Sequence, residues 1–222
     1  MGALTPFHII ENSEIINKNA KALAIACSEV GSPQIRNLGT IGGNIVNASA
    51  AGDSIAALMA LDAYVTLTSS REERIMSLEK FYQGDGDCQI RKDEILTEIF
   101  FKTPSENAVT SFRKLGKRKA LAIVVISIGA LIEKNEENIC TKVHIALGAI
   151  SRYPVRVREA EEILINKELN EENINKCIEK LSQVTDSSVQ NSPFKDLALY
   201  KRESMKGIST EVFDHILMQF KA

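Results

Sequence analysis

The chain has 222 residues, 44% apolar and 25% charged, an ordinary composition for a folded protein and enough for one large core or two smaller ones. A formal net charge of −2, no tryptophan and only 5% aromatic residues argue against nucleic acid or an anionic membrane surface as a partner. No apolar run reaches the ~20 residues that span a bilayer and no basic-then-apolar leader is visible, so the expected location is the cytoplasm.

Met1–Thr5 reads as the end of a strand entering a turn. Pro6–Val30 has helical spacing, with Ile9, Ile10, Ile15 and Ile16 as one apolar cluster, then Leu23, Ala24, Cys27 and Val30. Gly31 is the expected stop, and Pro33 lies just beyond. The stretch from Gly31 to Asp53 then holds glycines at 31, 39, 42, 43 and 52, out of 12 in the chain, with Thr40, Asn44, Asn47 and Ser49 between them. Glycine loses the most conformational entropy on folding, so such a concentration implies either tight turns or main chain brought close to a ligand; both readings stay open. Hydroxyl and amide donors among glycines suit a phosphate, although the segment is neither a G-x-G-x-x-G fingerprint nor a P-loop.

Asp53 opens a short helix through Leu61, with Asp53 and Ser54 as candidate caps. Ala63–Ser69 alternates as a strand, and a polar turn at Ser70–Glu73 leads to a partner strand at Arg74–Leu78, a hairpin pattern. Gly84–Asp87 is a loop by composition, and Glu94–Lys102 returns to strand. Thr103–Asn107 is the candidate boundary, dividing the chain into residues 1–105 and 106–222. Ser111–Leu115, Ile123–Glu133 and Lys142–Ile150 read as strands, the last two joined as a hairpin through Asn135–Asn138. Helices follow at Val157–Ile165 and Glu171–Val184, and a last one carries Val212, Phe213, Ile216, Leu217 and Phe220 on one face. Strands followed by helices argue for an α+β fold with two lobes.

Cys27, Cys88, Cys140 and Cys177 lack metal-ligand spacing and read as reduced thiols, with Cys88 alone in a polar loop. His8, His144 and His215 are isolated, and His144, on a strand, is expected to be packed or at the surface. No serine sits in a nucleophile elbow. Lys114, Lys117, Arg118 and Lys119 form a basic cluster, either a solvated face or an anion clamp.

The run Gly31-Ser-Pro-Gln-Ile-Arg-Asn-Leu-Gly-Thr-Ile-Gly-Gly-Asn44, then Ala51-Gly-Asp-Ser54 and Leu58 through Ala63, closely resembles the FAD-binding (medium) subunit of molybdenum hydroxylases. That family includes xanthine, nicotinate and carbon monoxide dehydrogenases. The resemblance continues through Phe81, Asp93–Thr97, Phe112–Leu115, Arg118, Ala120, Arg152–Pro154, Ala160–Glu161 and Arg202–Glu203. It implies the second lobe of a vanillyl-alcohol-oxidase-type FAD-binding domain, followed by a small C-terminal lobe of three antiparallel strands and helices.

The resemblance also implies a cofactor site. Thr40, Ile41, Gly42, Gly43 and Asn44 would lie along the FAD, the two glycines letting main-chain N–H groups approach the diphosphate. Asp53 resembles a carboxylate that contacts FAD, Ile95 and Leu96 fall where apolar side chains pack against it, and Lys114 matches a nearby basic residue. No catalytic side chain and no metal ligand are implied in this chain. The implied role is electron transfer. Substrate is hydroxylated at a molybdenum-pterin centre on a large subunit, and electrons cross [2Fe–2S] clusters on a small subunit. They reach FAD here and pass to NAD or another acceptor. One departure stands out: the family's leading lobe, with its Ala-Gly-Gly-Thr-Asp loop, has no match here, and Met1–Thr5 resembles the strand that follows it. Either a separate chain supplies that lobe, or this chain is a truncated product. The alternative to electron transfer is a truncated assembly module that does not bind FAD on its own.

Overall fold

The computed structural model describes residues 1–84, 87–118, 121–190, 192 and 195–221, without the side chains of 83, 84 and 87. Asp85 and Gly86 of the expected loop, Lys119 of the basic cluster and Ala120 lie outside the described residues.

The helical stretch after Pro6 is three short helices rather than a continuous one: α1 (Phe7–Glu11), α2 (Glu14–Asn19) and α3 (Lys21–Ser28). The Ser13 hydroxyl accepts from the Ile16 N–H and starts α2, and Ala20 breaks the path at φ −145°, ψ 51°. Each restart resets the helical face. Ile10 is therefore buried while Ile9 and Ile15 are 57% and 73% exposed, and the expected four-isoleucine cluster does not form. Gly31 adopts φ +48°, three residues beyond the end of α3.

The glycine-rich segment is not an open loop throughout. Ser32 caps α4 (Pro33–Leu38) and Thr40 caps α5 (Ile41–Val46). α6 (Asp53–Ala60) is buried along its whole length, and its N-cap is Gly52, so Asp53 is its first helical residue instead of the expected cap. Next come β1 (Tyr64–Thr68), β2 (Glu73–Ser77), α7 (Leu78–Phe81), β3 (Tyr82–Gly84), β4 (Asp87–Cys88) and β5 (Ile95–Phe100). The predicted hairpin is β1–β2, and the antiparallel sheet runs β2-β1-β5. Gly2 bridges Glu98, which attaches the start of the chain to the far side of β5.

A second antiparallel sheet follows in the order β6 (Ala108–Gly116), β7 (Val124–Lys134), β8 (Cys140–Gly148), β9 (Val155–Arg156). It has four strands where three were expected, because β9 is two residues long and carries no periodicity to read. α8 (Arg158–Leu164), α9 (Glu171–Gln190) and α10 (Ala198–Gln219) complete the chain. β7 is buried without a break from Val124 to Ile132, since α6 packs on it as well as α10. Gly129 permits this approach: a Cβ there would lie 2.7 Å from the Ala56 carbonyl oxygen. The close contact of α6 with the sheet holds the first turn of α6 beside β6.

Candidate FAD site

Four N–H groups at the start of α5 have partners within the chain. Ile41 donates to the Thr5 carbonyl (3.0 Å), Gly42 to Ala3 (2.8 Å), Gly43 to the Thr40 hydroxyl (3.2 Å) and Asn44 to the Thr40 carbonyl (3.1 Å). Gly42 is buried, and a Cβ there would stand 2.6 Å from the Ala3 Cβ and 2.7 Å from its carbonyl oxygen. Packing against Ala3 therefore requires this glycine, and its N–H is committed to the Ala3 carbonyl. Gly43 differs. It is exposed, and an added Cβ would meet only the Thr40 Oγ1, at 3.0 Å.

From α5 a line of polar contacts runs inward. The Asn44 Oδ1 accepts from the Ser54 Oγ at 2.7 Å, joining α5 to the first turn of α6. Beside Ser54, the Asp53 Oδ2 accepts from the Lys114 Nζ at 2.7 Å, and the same ammonium donates to the Glu29 carbonyl at 2.6 Å. Asp53 is 8% exposed, and its second oxygen, Oδ1, is buried with no hydrogen-bond partner among the described residues. Burial pushes the Asp53 carboxyl upward, against the hydrogen bond and charge of Lys114. A buried acceptor left without a donor costs about 1–3 kcal/mol, so Oδ1 is a place where a ligand N–H or O–H would be stabilised.

Asn44, Asp53 and Lys114 are thus brought together, with Ser54 as a link that the sequence marked only as a possible cap. Ile95 and Leu96 are not joined to this line. Adjacent strand residues point to opposite faces, and Leu96 is packed in the core while Ile95 is 65% exposed. At most one of the two side chains can face a given ligand.

Next to Lys114 opens a cavity of about 820 Å³ between residues of the Ser28–Arg36 segment on one side and Lys114–Arg118 with Leu121 and Ala122 on the other. Its charged lining is Arg36, Lys114, Lys117, Arg118 and Glu29. Arg36 is bound to Glu11, and Arg118 donates twice to the Leu121 carbonyl. Sequence reasoning passed over Glu29, whose type at a helix end carries no local signal. Elsewhere, the His144 Nδ1 lies 3.0 Å from the Ala60 carbonyl, and burial lowers its pKa, so the ring is neutral with its proton on Nδ1. Cys27, Cys140 and Cys177 are buried, with burial pushing their thiols up, Cys140 to about 11. Cys88 is half-buried.

Residues 1–104 match the profile of the FAD binding domain in molybdopterin dehydrogenase, and residues 111–215 that of the CO dehydrogenase flavoprotein C-terminal domain. The nicotinate dehydrogenase FAD-subunit of Eubacterium barkeri is 39% identical over all of this chain and 75% of its own length. The glyceraldehyde dehydrogenase medium chain of Sulfolobus acidocaldarius is 29% identical over 97% of this chain and 75% of its own. A chain of carbon monoxide dehydrogenase from Hydrogenophaga pseudoflava superposes with a TM-score of 0.88 at 22% identity, covering 97% of this chain and 74% of that one; it shares the fold. With matches over both halves and a full-length relative at 39% identity, the chain belongs to the FAD-binding, medium-subunit family of the molybdenum hydroxylases.

Proposed function

We propose that this chain is the FAD-carrying electron-transfer subunit of a molybdenum hydroxylase complex. The buried, unpartnered Asp53 Oδ1 beside Lys114 carries this reading. Asp53 accepts a hydrogen bond from the cofactor, and Lys114, fixed by Asp53 and the Glu29 carbonyl, holds positive charge next to it. Gly43, exposed and without a Cβ, admits the diphosphate; the Thr40 hydroxyl and Asn44 amide add polar contacts. Ile41 and Gly42 act from behind, anchoring α5 to residues 3–5. Of the apolar pair, Ile95 is free to touch the cofactor, and Leu96 supports β5 from the core. FAD supplies two-electron and one-electron chemistry; the protein binds it, orients it and sets its surroundings.

In this reading electrons come from [2Fe–2S] clusters on a small subunit, after hydroxylation at a molybdopterin centre on a large one. They leave to NAD or another acceptor, and an anionic acceptor would be drawn to the basic mouth formed by Lys117 and Arg118. Residues 1–105 act as the cofactor domain and 106–222 as the second domain, and four free cysteines fit a reducing cytoplasm. Leu4, Ile9, Ile35 and Leu38 are exposed on segments that flank the Thr40–Asn44 turn. Together with the four N–H groups committed to Ala3, Thr5 and Thr40, this favours a second polypeptide surface completing the cradle. The complex should co-purify with flavin absorbance that bleaches when the hydroxylation substrate is added anaerobically. Flavin that stays oxidised while the molybdenum centre turns over would overturn the electron-transfer role.

A further inference from the structure

A second cavity, of about 370 Å³, shares Lys117, Arg118 and Ala122 with the one next to Lys114 but has a different character. Its apolar wall is Ile123, Val124 and Val125, where β7 begins, and Leu197, just before α10. Its charged lining is Lys117, Arg118 and Lys201, and no carboxylate stands among its described lining residues. The assignment of the FAD site uses none of the residues that line this cavity alone.

Lys201, in the first turn of α10, is only 2% exposed, and its Nζ donates to the Ala149 carbonyl. The Ala149 N–H in turn donates to the Ala50 carbonyl at 2.9 Å, three residues before Asp53. Withdrawing an ammonium from water is costly, and burial lowers the Lys201 pKa to about 8; a nearby anion favours its charged form. Lys117 and Arg118 are exposed at the rim, with the Arg118 guanidinium held by two hydrogen bonds to the Leu121 carbonyl. Neither meets a carboxylate among the described residues. Ile123 and Leu197 leave 78% and 39% of their surface in water beside these cations.

We propose that this cavity binds a small organic carboxylate whose apolar body is the size of a single ring. The carboxylate lies among Lys201, Lys117 and Arg118, and the body covers Ile123, Val125 and Leu197. A neutral apolar ligand would leave three cations without a counter-charge, and an inorganic anion would leave the apolar wall in water. The volume is near the lower end of the ~300–1,000 Å³ typical of ligand pockets, which sets the size of the guest. Because Lys117 and Arg118 also line the larger cavity, the guest draws on charge that both cavities share.

The test is isothermal titration calorimetry of benzoate into the full chain, beside benzyl alcohol, which has the ring without the charge, and sulfate, which has charge without an apolar body. Benzoate should bind one to one, and each of the other two at least about tenfold more weakly. Lys201→Met removes the buried cation and Leu197→Glu places a carboxylate at the apolar wall; each should weaken benzoate at least about tenfold. Leu197 is partly exposed, so Leu197→Glu decides the matter if Lys201→Met fails to fold. No benzoate binding at millimolar concentration, or benzoate bound no tighter than benzyl alcohol or sulfate, overturns the proposal. So does benzoate binding that Leu197→Glu leaves unchanged, since Leu197 does not line the larger cavity and the anion would then sit elsewhere. The measurement needs no flavin, so its failure leaves the FAD reading standing.

Discussion

Gly42 and Gly43 are adjacent, yet the structure gives them different reasons to be glycine, and Gly→Ala at each separates packing from ligand approach. At Gly42 the new Cβ would stand 2.6 Å from the Ala3 Cβ and 2.7 Å from the Ala3 carbonyl oxygen. Relieving that contact moves backbone and weakens the 2.8 Å Gly42–Ala3 hydrogen bond. Overpacking costs about 1–3 kcal/mol and a weakened bond about 1, offset by up to about 1 from the higher helix propensity of alanine. The expected net loss is about 1–3 kcal/mol. At Gly43 the Cβ meets only the Thr40 Oγ1, at 3.0 Å. A weakened cap of about 1 kcal/mol is there opposed by a similar propensity gain, so stability should change by less than about 1 kcal/mol. Flavin binding should invert the order, with Gly43→Ala weakening FAD at least tenfold because its methyl group occupies the exposed approach. Urea denaturation and FAD fluorescence quenching measure the two quantities. A Gly42→Ala chain as stable as its parent, or a Gly43→Ala chain with unchanged FAD affinity, would refute the assignment.

Lys114→Ala leaves the Asp53 carboxylate buried without its cation and should cost about 3–5 kcal/mol, whereas Lys114→Met with Asp53→Leu should recover most of it while abolishing FAD binding. Gly129→Ala would drive a Cβ to 2.7 Å from the Ala56 carbonyl oxygen; a loss of about 1–3 kcal/mol and weaker FAD binding, through displacement of Asp53 on α6, are expected in paired melting and binding assays. The Arg74 side-chain hydrogen bond holds the buried Glu94 carboxyl at about 2, down from 4.5. A folded pKa below the unfolded one stabilises fully above the unfolded value, so that contribution should fade as pH drops from about 4.5 to about 2, and Glu94→Gln should flatten this part of the stability–pH curve.

Elements with a sustained period were legible in the sequence. The β1–β2 hairpin, β5, the β6–β8 strands and the three C-terminal helices all appear near their expected positions, each marked by an apolar run or stripe bounded by polar turns. Breaks in period were not. The helix restarts at Ser13 and Ala20 depend on a single cap and a single backbone excursion, and α4 and α5 are too short for a repeat to show. Their sign was Ser32 and Thr40, cap residues hidden among glycines. For the candidate site, the resemblance supplied residue types, while the partnerships were beyond local reading. Asp53 and Lys114 are 61 positions apart, and tertiary packing, including the seating of α6 on β7 at Gly129, brings them to 2.7 Å. The packing role of Gly42 was hidden for the same reason: Ala3, which fills the space beside it, is remote in sequence.

The most direct test is a titration of FAD into the purified chain, and into its Asp53→Ala variant, followed by desalting and a visible spectrum. If the Asn44–Ser54–Asp53–Lys114 line holds the cofactor, the parent chain, together with any polypeptide that completes the cradle, retains close to one equivalent of flavin and the variant far less. A parent that retains none even with that polypeptide present, or a variant that retains as much as the parent, would contradict the site.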